Sequence, residues 1–422
     1  MRYTNFELLA ESYLTVPISI IMPAYNEEKG IINAIYSAAN SDYPEFEVII
    51  VNDGSTDDTL EIIEREFDLE VQDVFYREPL LTQNVRRVLR SKRFPNLWVL
   101  DKDNGGKADA LNAGVNFSHY RYIATCDADS IFDRQGLLRI IRAVGMDPAK
   151  IVGVGGQIRV GNGLTVEQGK VLKKHLPHEL VTNFQIIEYL GSFLGNRVGW
   201  SEVNSVLVIS GAFGLWRRDI MIELGGMTSE TTHEDIEFTF RIHEHFRRKK
   251  IPYNIVFMPD PIVWTEVPTT WRGLFRQRRR WQRVVNEVMW IYRRMLMNPR
   301  YGAVGLAGMP YMLVYEIIGP FFEIFSYLIV FIFFITGIIN FQLLALFLLV
   351  SFGLTMTVRI GGVFVEQYSF RTYSLRSLPR LFLLAFLENF GYHQYISIAR
   401  IRALFDFFRG KKTWDRIERK GL

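Results

Sequence analysis

Three acidic clusters and one basic aromatic box carry the chemistry legible in this chain. Asp127-Ala128-Asp129 places two carboxylates one residue apart, directly after the apolar run Tyr122–Cys126. Such a pair at a strand end suits a hard divalent cation that also takes phosphate oxygens, as Mg²⁺ does. A solvated turn is the ordinary alternative for an isolated pair of this kind. Glu234-Asp235 opens an amphipathic run, where acids either cap a helix or act as a base with a raised pKa. Gln277-Arg278-Arg279-Arg280-Trp281 lies on a basic helix. Positions 277, 280 and 281 share one face. That face offers a guanidinium for a diphosphate, an aromatic plane for a ring, and an amide between them. The bland reading is a basic helix beside a membrane.

The elements that would position these groups follow from periodicity. Val16–Met22, Phe46–Asn52, Leu97–Asp101 and Tyr122–Cys126 read as strands. Lys29–Asn40, Asp57–Phe67 and Lys107–Asn116 read as the helices between them. This alternation predicts an α/β fold with a doubly wound, Rossmann-like parallel sheet that binds ligands at the carboxyl ends of its strands. Asp53 and Asp127 fall at such ends. Beyond residue 150 the spacing predicts strands over Val152–Val160, Val206–Trp216 and Tyr253–Met258. It predicts helices over Val171–Leu194, Glu234–Arg247 and Trp271–Met297, and assigns Asp133 to helix capping.

The motifs, taken in order, resemble the family 2 glycosyltransferases, in particular the membrane-embedded polysaccharide synthases that make cellulose, hyaluronan, chitin and poly-N-acetylglucosamine. The resemblance covers roughly residues 15–295. It implies a type A glycosyltransferase fold and an inverting transfer from a UDP-hexose or UDP-N-acetylhexosamine. Pro23-Ala24-Tyr25-Asn26-Glu27-Glu28 is similar to the family's opening nucleotide loop, so Pro23, Tyr25 and Glu27 are expected at the donor. Asp53 is expected at the uracil or ribose edge. Gly105-Gly106-Lys107 resembles the family's glycine-glycine-lysine turn, whose glycines let backbone approach a ligand and whose lysine can meet phosphate. It lacks Walker A spacing. Asp127 and Asp129 are expected to hold Mg²⁺ or Mn²⁺. The resemblance makes Asp235 the base, with Glu234 raising its pKa; His233 stands where Thr is frequent. Arg280 is expected at the diphosphate, Gln277 and Trp281 at the acceptor, and Arg278 and Arg279 at lipid headgroups. Ser210-Gly211-Ala212-Phe213-Gly214 resembles the acceptor-side strand, with Gly211 leaving room and Phe213 or Trp216 offering a stacking face. A close-packed strand is the alternative there.

Two departures bear on the product. Polymerising members often follow the box with a small residue and glycine, whereas this chain runs Gln282-Arg283-Val284-Val285. Residues 1–15 are too few and too polar for the membrane helix that commonly precedes the catalytic region in these synthases.

Composition sets further bounds. Hydrophobic residues are 49% of the 422, and the excess gathers after residue 310, which points to a membrane. A net charge of +4 is too small to argue for nucleic acid. The one cysteine, Cys126, excludes an intrachain disulfide. Arg2, Glu7 and Glu11 leave no apolar core for a signal peptide in the first seventeen residues. Tyr311–Ile339 and Leu343–Val365 are long enough to span, since about 20 apolar residues suffice. Leu381–Ile398, broken by Glu388, Asn389 and His393, is expected to be interfacial or re-entrant. The expected layout is a cytoplasmic glycosyltransferase domain over 1–260 and amphipathic interface helices over 261–310. Transmembrane and interfacial helices over 311–400 and a basic tail over 401–422 complete it. Basic flanks predict a multi-pass protein of the cell membrane, its first two spans forming a hairpin with the tip outside. The expected partners are a UDP-sugar, a glycan or polysaccharide acceptor, membrane lipid and secretion or accessory subunits. The favoured product is a bacterial extracellular or capsular β-linked polysaccharide. Transfer of one sugar to a lipid acceptor is the nearest alternative, and an inactive scaffold for secretion the next.

Overall fold

A computed structural model describes residues 11–12, 15–229 and 234–410. His233 lies outside the described residues. By its contacts the chain divides into two units. The first is built from the chain up to Lys174 together with Trp200–Glu266, and the second from His175–Gly199 and the chain from Val267 onward.

The first unit is organised by a ten-stranded sheet of order β3-β4-β5-β2-β1-β6-β11-β8-β12-β7. Its strands are β1 (Ile18–Ala24), β2 (Phe46–Asp53), β3 (Leu69–Gln72), β4 (Val85–Ser91), β5 (Leu97–Lys102), β6 (Tyr122–Cys126), β7 (Ile131–Phe132), β8 (Ile151–Val160), β11 (Phe213–Arg217) and β12 (Asn254–Thr265). A separate hairpin pairs β9 (Leu164–Glu167) with β10 (Lys170–Lys174). β5, β2, β1 and β6 are parallel neighbours. Val48, Ile49, Ile50 and Val51 of β2 are wholly buried, so a continuous apolar run, not an alternating one, marks this strand. The chain leaves β1 for β2 on one side and later returns to β6 on the other. The carboxyl ends of β1 and β6 therefore flank a topological switch point, where such sheets bind ligands.

Several elements differ from the sequence expectation. β4 went unread because Arg86, Arg87 and Arg90 mask it. These arginines sit on the outer part of the sheet, and Arg86 and Arg87 both pair with the buried Asp101. The long helix expected over Val171–Leu194 is instead the end of the β9–β10 hairpin followed by a helix over Leu180–Gly191. Pro177 explains the break, since a proline cannot continue a helix interior. The strand expected over Val206–Trp216 is regular only over β11. β12 runs past Pro259 and Pro261 to Thr265, with register shifts at the prolines, where a missing N–H is tolerated. Asp133 precedes the helix Gly136–Met146, whose cap position is Gln135; Asp133 Oδ1 accepts from Gln135 N at 3.2 Å and pairs with Arg139.

In the second unit, the helix Trp271–Ile291 starts at Thr270, whose hydroxyl accepts from Gly273 N at 3.1 Å. Two further helical stretches, Val304–Ile335 and Phe341–Ser369, are long and apolar enough to cross a membrane, with 6% and 0% of their apolar windows buried. The first carries π-helical turns at Val304–Gly308 and Met312–Ile318. The third apolar segment is two helices, Leu378–Leu387 and Tyr392–Phe408, parted at Gly391 with φ +102°. Among the described residues, neither meets the length and hydropathy of a span.

Candidate active site

The site in the first unit grows from three strand ends and one helix start. β1 ends in Pro23 and Ala24, and the following loop is tied to the loop after β2. Asn26 N donates to Ser55 Oγ (3.1 Å), Thr56 N to Asn26 Oδ1 (2.8 Å), and Glu27 N to Thr59 Oγ1 (2.9 Å). Tyr25 stands exposed on this loop, and Glu27 is half-buried.

Asp53, at the end of β2, is buried and works on the neighbouring loop. Its Oδ1 accepts from Lys102 Nζ (2.6 Å) and Gly105 N (3.0 Å), and its Oδ2 from Gly106 N (2.8 Å). Asn104 Nδ2 donates to the Asp53 carbonyl at 2.7 Å. Gly106 has φ +88°, a conformation that a residue with Cβ resists. The carboxylate thus shapes the turn that launches Lys107 into the helix Lys107–Phe117. Lys102 was missed by sequence reasoning. It is wholly buried at the end of β5 and also pairs with Asp109 at 2.6 Å. A lysine closing the strand, after Asp101, was the available signal.

Lys107 is the electrostatic hub. Its Nζ lies 2.7 Å from Asp127 Oδ1 and 2.9 Å from Glu234 Oε1. Burial opposes its charge, yet Asp127, Glu234 and Asp235 together raise its pKa, so it stays an ammonium. Asp127 is half-buried just past β6, and Asp129 is buried two residues on. Among the described residues no three His, Cys, Asp or Glu side chains cluster as a metal cage. Asp127 and Asp129 are a pair of carboxylates, and a hard ion held by two carboxylates would take its remaining ligands from phosphate oxygens and water.

Asp235 sits in the first turn of the helix Glu234–Lys249. It is buried, and its Oδ1 has no hydrogen-bond partner among the described residues. Burial first, and the Glu234 carboxylate second, push its pKa up to about 7, against the pull of Lys107. A Cβ placed on Gly211 would lie 3.0 Å from both Asp235 Oδ2 and Lys107 Nζ, so glycine lets the backbone approach this pair without crowding it. Phe213 is wholly buried and packs edge-on against Phe132 at 5.9 Å, forming core and not an open face. Trp216 is likewise buried, its Nε1 donating to Thr125 Oγ1 at 3.2 Å.

Lys107, Asp127, Glu234, Asp235 and Gly211 thus converge, with Asp53 behind them. A buried carboxylate with a pKa near 7 can take a proton from a hydroxyl at neutral pH. The acid limb of kcat/KM should then follow Asp235. Glu234→Gln removes the neighbouring negative charge and lowers that pKa, so the limb should move to lower pH. A pH profile on both proteins checks this, and an unshifted limb would detach Asp235 from it.

Gln277, Arg280 and Trp281 lie on the Trp271–Ile291 helix of the second unit, Gln277 buried and the other two half-buried. The expectation that Arg278 and Arg279 meet lipid headgroups is overturned. Arg278 is buried and paired with Glu188 at 2.8 Å, and Arg279 is paired with Asp406 at 3.0 Å. These carboxylates belong to other helices, and helical spacing within 271–291 cannot reveal them.

The chain has relatives among known proteins. A family profile described as glycosyltransferase like family 2 matches residues 16–284. The poly-beta-1,6-N-acetyl-D-glucosamine synthase of Staphylococcus epidermidis is 29% identical over 272 residues, 64% of this chain and 55% of that protein. Its namesake in Staphylococcus aureus strain COL is 27% identical over 272 residues, with the same shares of 64% and 55%. The chain thus spans about half the length of the curated relatives it matches. A mannosyltransferase from Pyrobaculum calidifontis, solved with GDP-mannose and Mn²⁺, shares the fold with a TM-score of 0.56 and 16% identity, over 94% of this chain and 88% of that one.

Proposed function

The chain belongs to the glycosyltransferase-like family 2, and from that premise we propose that it moves a hexose or N-acetylhexosamine from a UDP-sugar, with inversion, to a hydroxyl of a growing extracellular polysaccharide. The observation that carries this is the buried Asp235 carboxylate beside Lys107, both closely approached by Gly211. Asp235 takes the proton of the acceptor hydroxyl as its oxygen attacks the anomeric carbon. The bond from that carbon to the diphosphate breaks, and UDP leaves. Lys107 faces the leaving charge, held there by the loop that Asp53 and Lys102 shape. Asp127 and Asp129 would hold Mg²⁺ or Mn²⁺, which supplies charge offset at the diphosphate. The mannosyltransferase solved with Mn²⁺ makes that ion a natural second choice to Mg²⁺. By resemblance to the family, Arg280 is assigned to phosphate oxygens and Trp281 to the acceptor sugar. The staphylococcal relatives make UDP-N-acetylglucosamine the first donor to try. Incubating the purified chain with a panel of radiolabelled UDP-sugars and either metal tests the reading. No incorporation from any of them would overturn it. Transfer of a single sugar is favoured by one observation, the run Gln282-Arg283-Val284-Val285 after the box; product length decides between the two.

The membrane placement is part of the same proposal. Two long apolar helices with almost none of their apolar windows covered need a hydrocarbon solvent. Arginines at 272–294 precede the first and Arg371, Arg376 and Arg380 follow the second, so the turn between them faces outward and the catalytic region the cytoplasm. Cys126 is buried and gives little background for thiol labelling. Ile338→Cys should react with an impermeant reagent on intact cells and Arg409→Cys should not. Labelling of Arg409→Cys from outside would break the hairpin.

A further inference from the structure

The helix bearing Gln277, Arg280 and Trp281 is held by a charged cluster that its own sequence does not disclose. Arg278, 2% exposed at its side chain, makes three contacts at once. Nη2 donates to Glu188 Oε2 at 2.8 Å, and Nη1 donates to Gln277 Oε1 at 2.7 Å. Its guanidinium carbon lies 4.3 Å from the centroid of the Trp281 ring. Glu188 is fixed in turn, since the Tyr392 hydroxyl donates to the same Oε2 at 2.6 Å and Arg359 Nη1 donates to the Glu188 carbonyl at 3.1 Å. Burial works against the Glu188 charge, but Arg278, the Tyr392 hydroxyl and Arg359 together outweigh it and bring its pKa down to about 2. The pair is therefore ionised at every working pH. A buried ion pair is a poor way to gain stability, because apolar residues of similar volume often do as well. Its planar fork is a good way to fix geometry.

The consequences for the box are specific. With Oε1 taken by Arg278, the Gln277 amide is set to present its Nε2–H₂ group as a donor. With one face of Trp281 covered by the guanidinium, a single face is left for a ring. We infer that Arg278, anchored by Glu188 and Tyr392, is a positioning residue that orients Gln277 and Trp281 for the acceptor. The inference rests on the reading above that Trp281 engages the acceptor.

The test uses the full chain in nanodiscs, measuring UDP release and sugar incorporation with and without acceptor. Trp281→Ala is the reference, expected to release UDP without matching incorporation. Arg278→Lys keeps the charge but cannot span all three partners. It should reproduce that uncoupling, lowering kcat/KM for the acceptor by about 10-fold or more with donor KM and acceptor-independent hydrolysis held within about twofold. Tyr392→Phe removes one hydroxyl, keeps the ion pair, and should shift coupling in the same direction. It decides the matter if Arg278→Lys does not fold. Wild-type coupling in Arg278→Lys and Tyr392→Phe beside an uncoupled Trp281→Ala would overturn the inference while leaving the acceptor reading intact. Equal loss of hydrolysis and transfer in Arg278→Lys would assign the cluster to packing alone and overturn it too. Normal coupling in Trp281→Ala would instead remove the acceptor reading, and the inference with it.

Discussion

Asp235→Asn should lower the transfer rate by roughly 10²-fold or more, the scale of a lost general base, while UDP still binds. The substitution keeps shape and hydrogen bonding and removes only the ability to take a proton. The structure makes the loss sharp. Asp235 is buried beneath Gly211, and its pKa is raised to about 7 by burial and by Glu234. In the wild type, kcat/KM should therefore fall as the pH drops below about 7, because the carboxyl becomes protonated and can no longer accept. The variant should lose that limb along with its rate. Rate-pH profiles and UDP binding by calorimetry check both parts. If UDP binding disappears with activity, Asp235 is a helix cap whose loss disturbs the loop around Lys107, and the base lies elsewhere.

Asp129→Ala should abolish detectable transfer and leave the fold intact. Asp127 already shares its charge with Lys107 at 2.7 Å, so Asp129 is the carboxylate whose removal most weakens the two-oxygen donor set. Several kcal/mol of charge stabilisation at the leaving diphosphate would go with it, a rate loss on the order of 10³-fold. Mn²⁺ binding followed by electron paramagnetic resonance, with UDP present, gives a readout independent of turnover. The variant should show weakened Mn²⁺ binding with an unchanged circular dichroism spectrum. Full turnover of the wild type in excess chelator would sink the metal assignment, whatever the variant does.

Much of this protein was legible in one dimension because the relevant forces are local or periodic. The continuous apolar runs of β1, β2 and β6 announce buried parallel strands, since a strand covered on both faces has no polar side to alternate. Acids and glycines after those runs mark strand ends, where backbone must turn and ligands can approach. Asp53, Asp127 and Asp129 belong to that class, whereas Lys107 and Asp235 stand at helix starts. The two apolar stretches after residue 300 are equally plain, because length and composition alone mark a helix able to cross a bilayer.

What the tertiary structure decided lies in pairings between distant segments. Nothing near Asp53 in sequence says that its carboxylate is engaged by Lys102, Gly105 and Gly106 about fifty residues on. Nothing in Gln277–Trp281 says that Arg278 is buried against Glu188, because a free arginine and a paired one look alike until the partner helix is in place. β4 was hidden for the same reason: its arginines read as solvent-facing until Asp101 is beside them. Phe213 reads equally as a stacking face or as part of a close-packed strand, and the fold makes it core, since exposure depends on what packs above a ring. The sequence alone determined which carboxylates, lysines and aromatic rings the chain sets at strand ends and helix starts, because residue type and local period are properties of short segments. Only the folded chain decided which charges are neutralised, which carboxylate keeps a raised pKa and which ring stays open, because those depend on burial and on Coulomb partners brought from far along the chain.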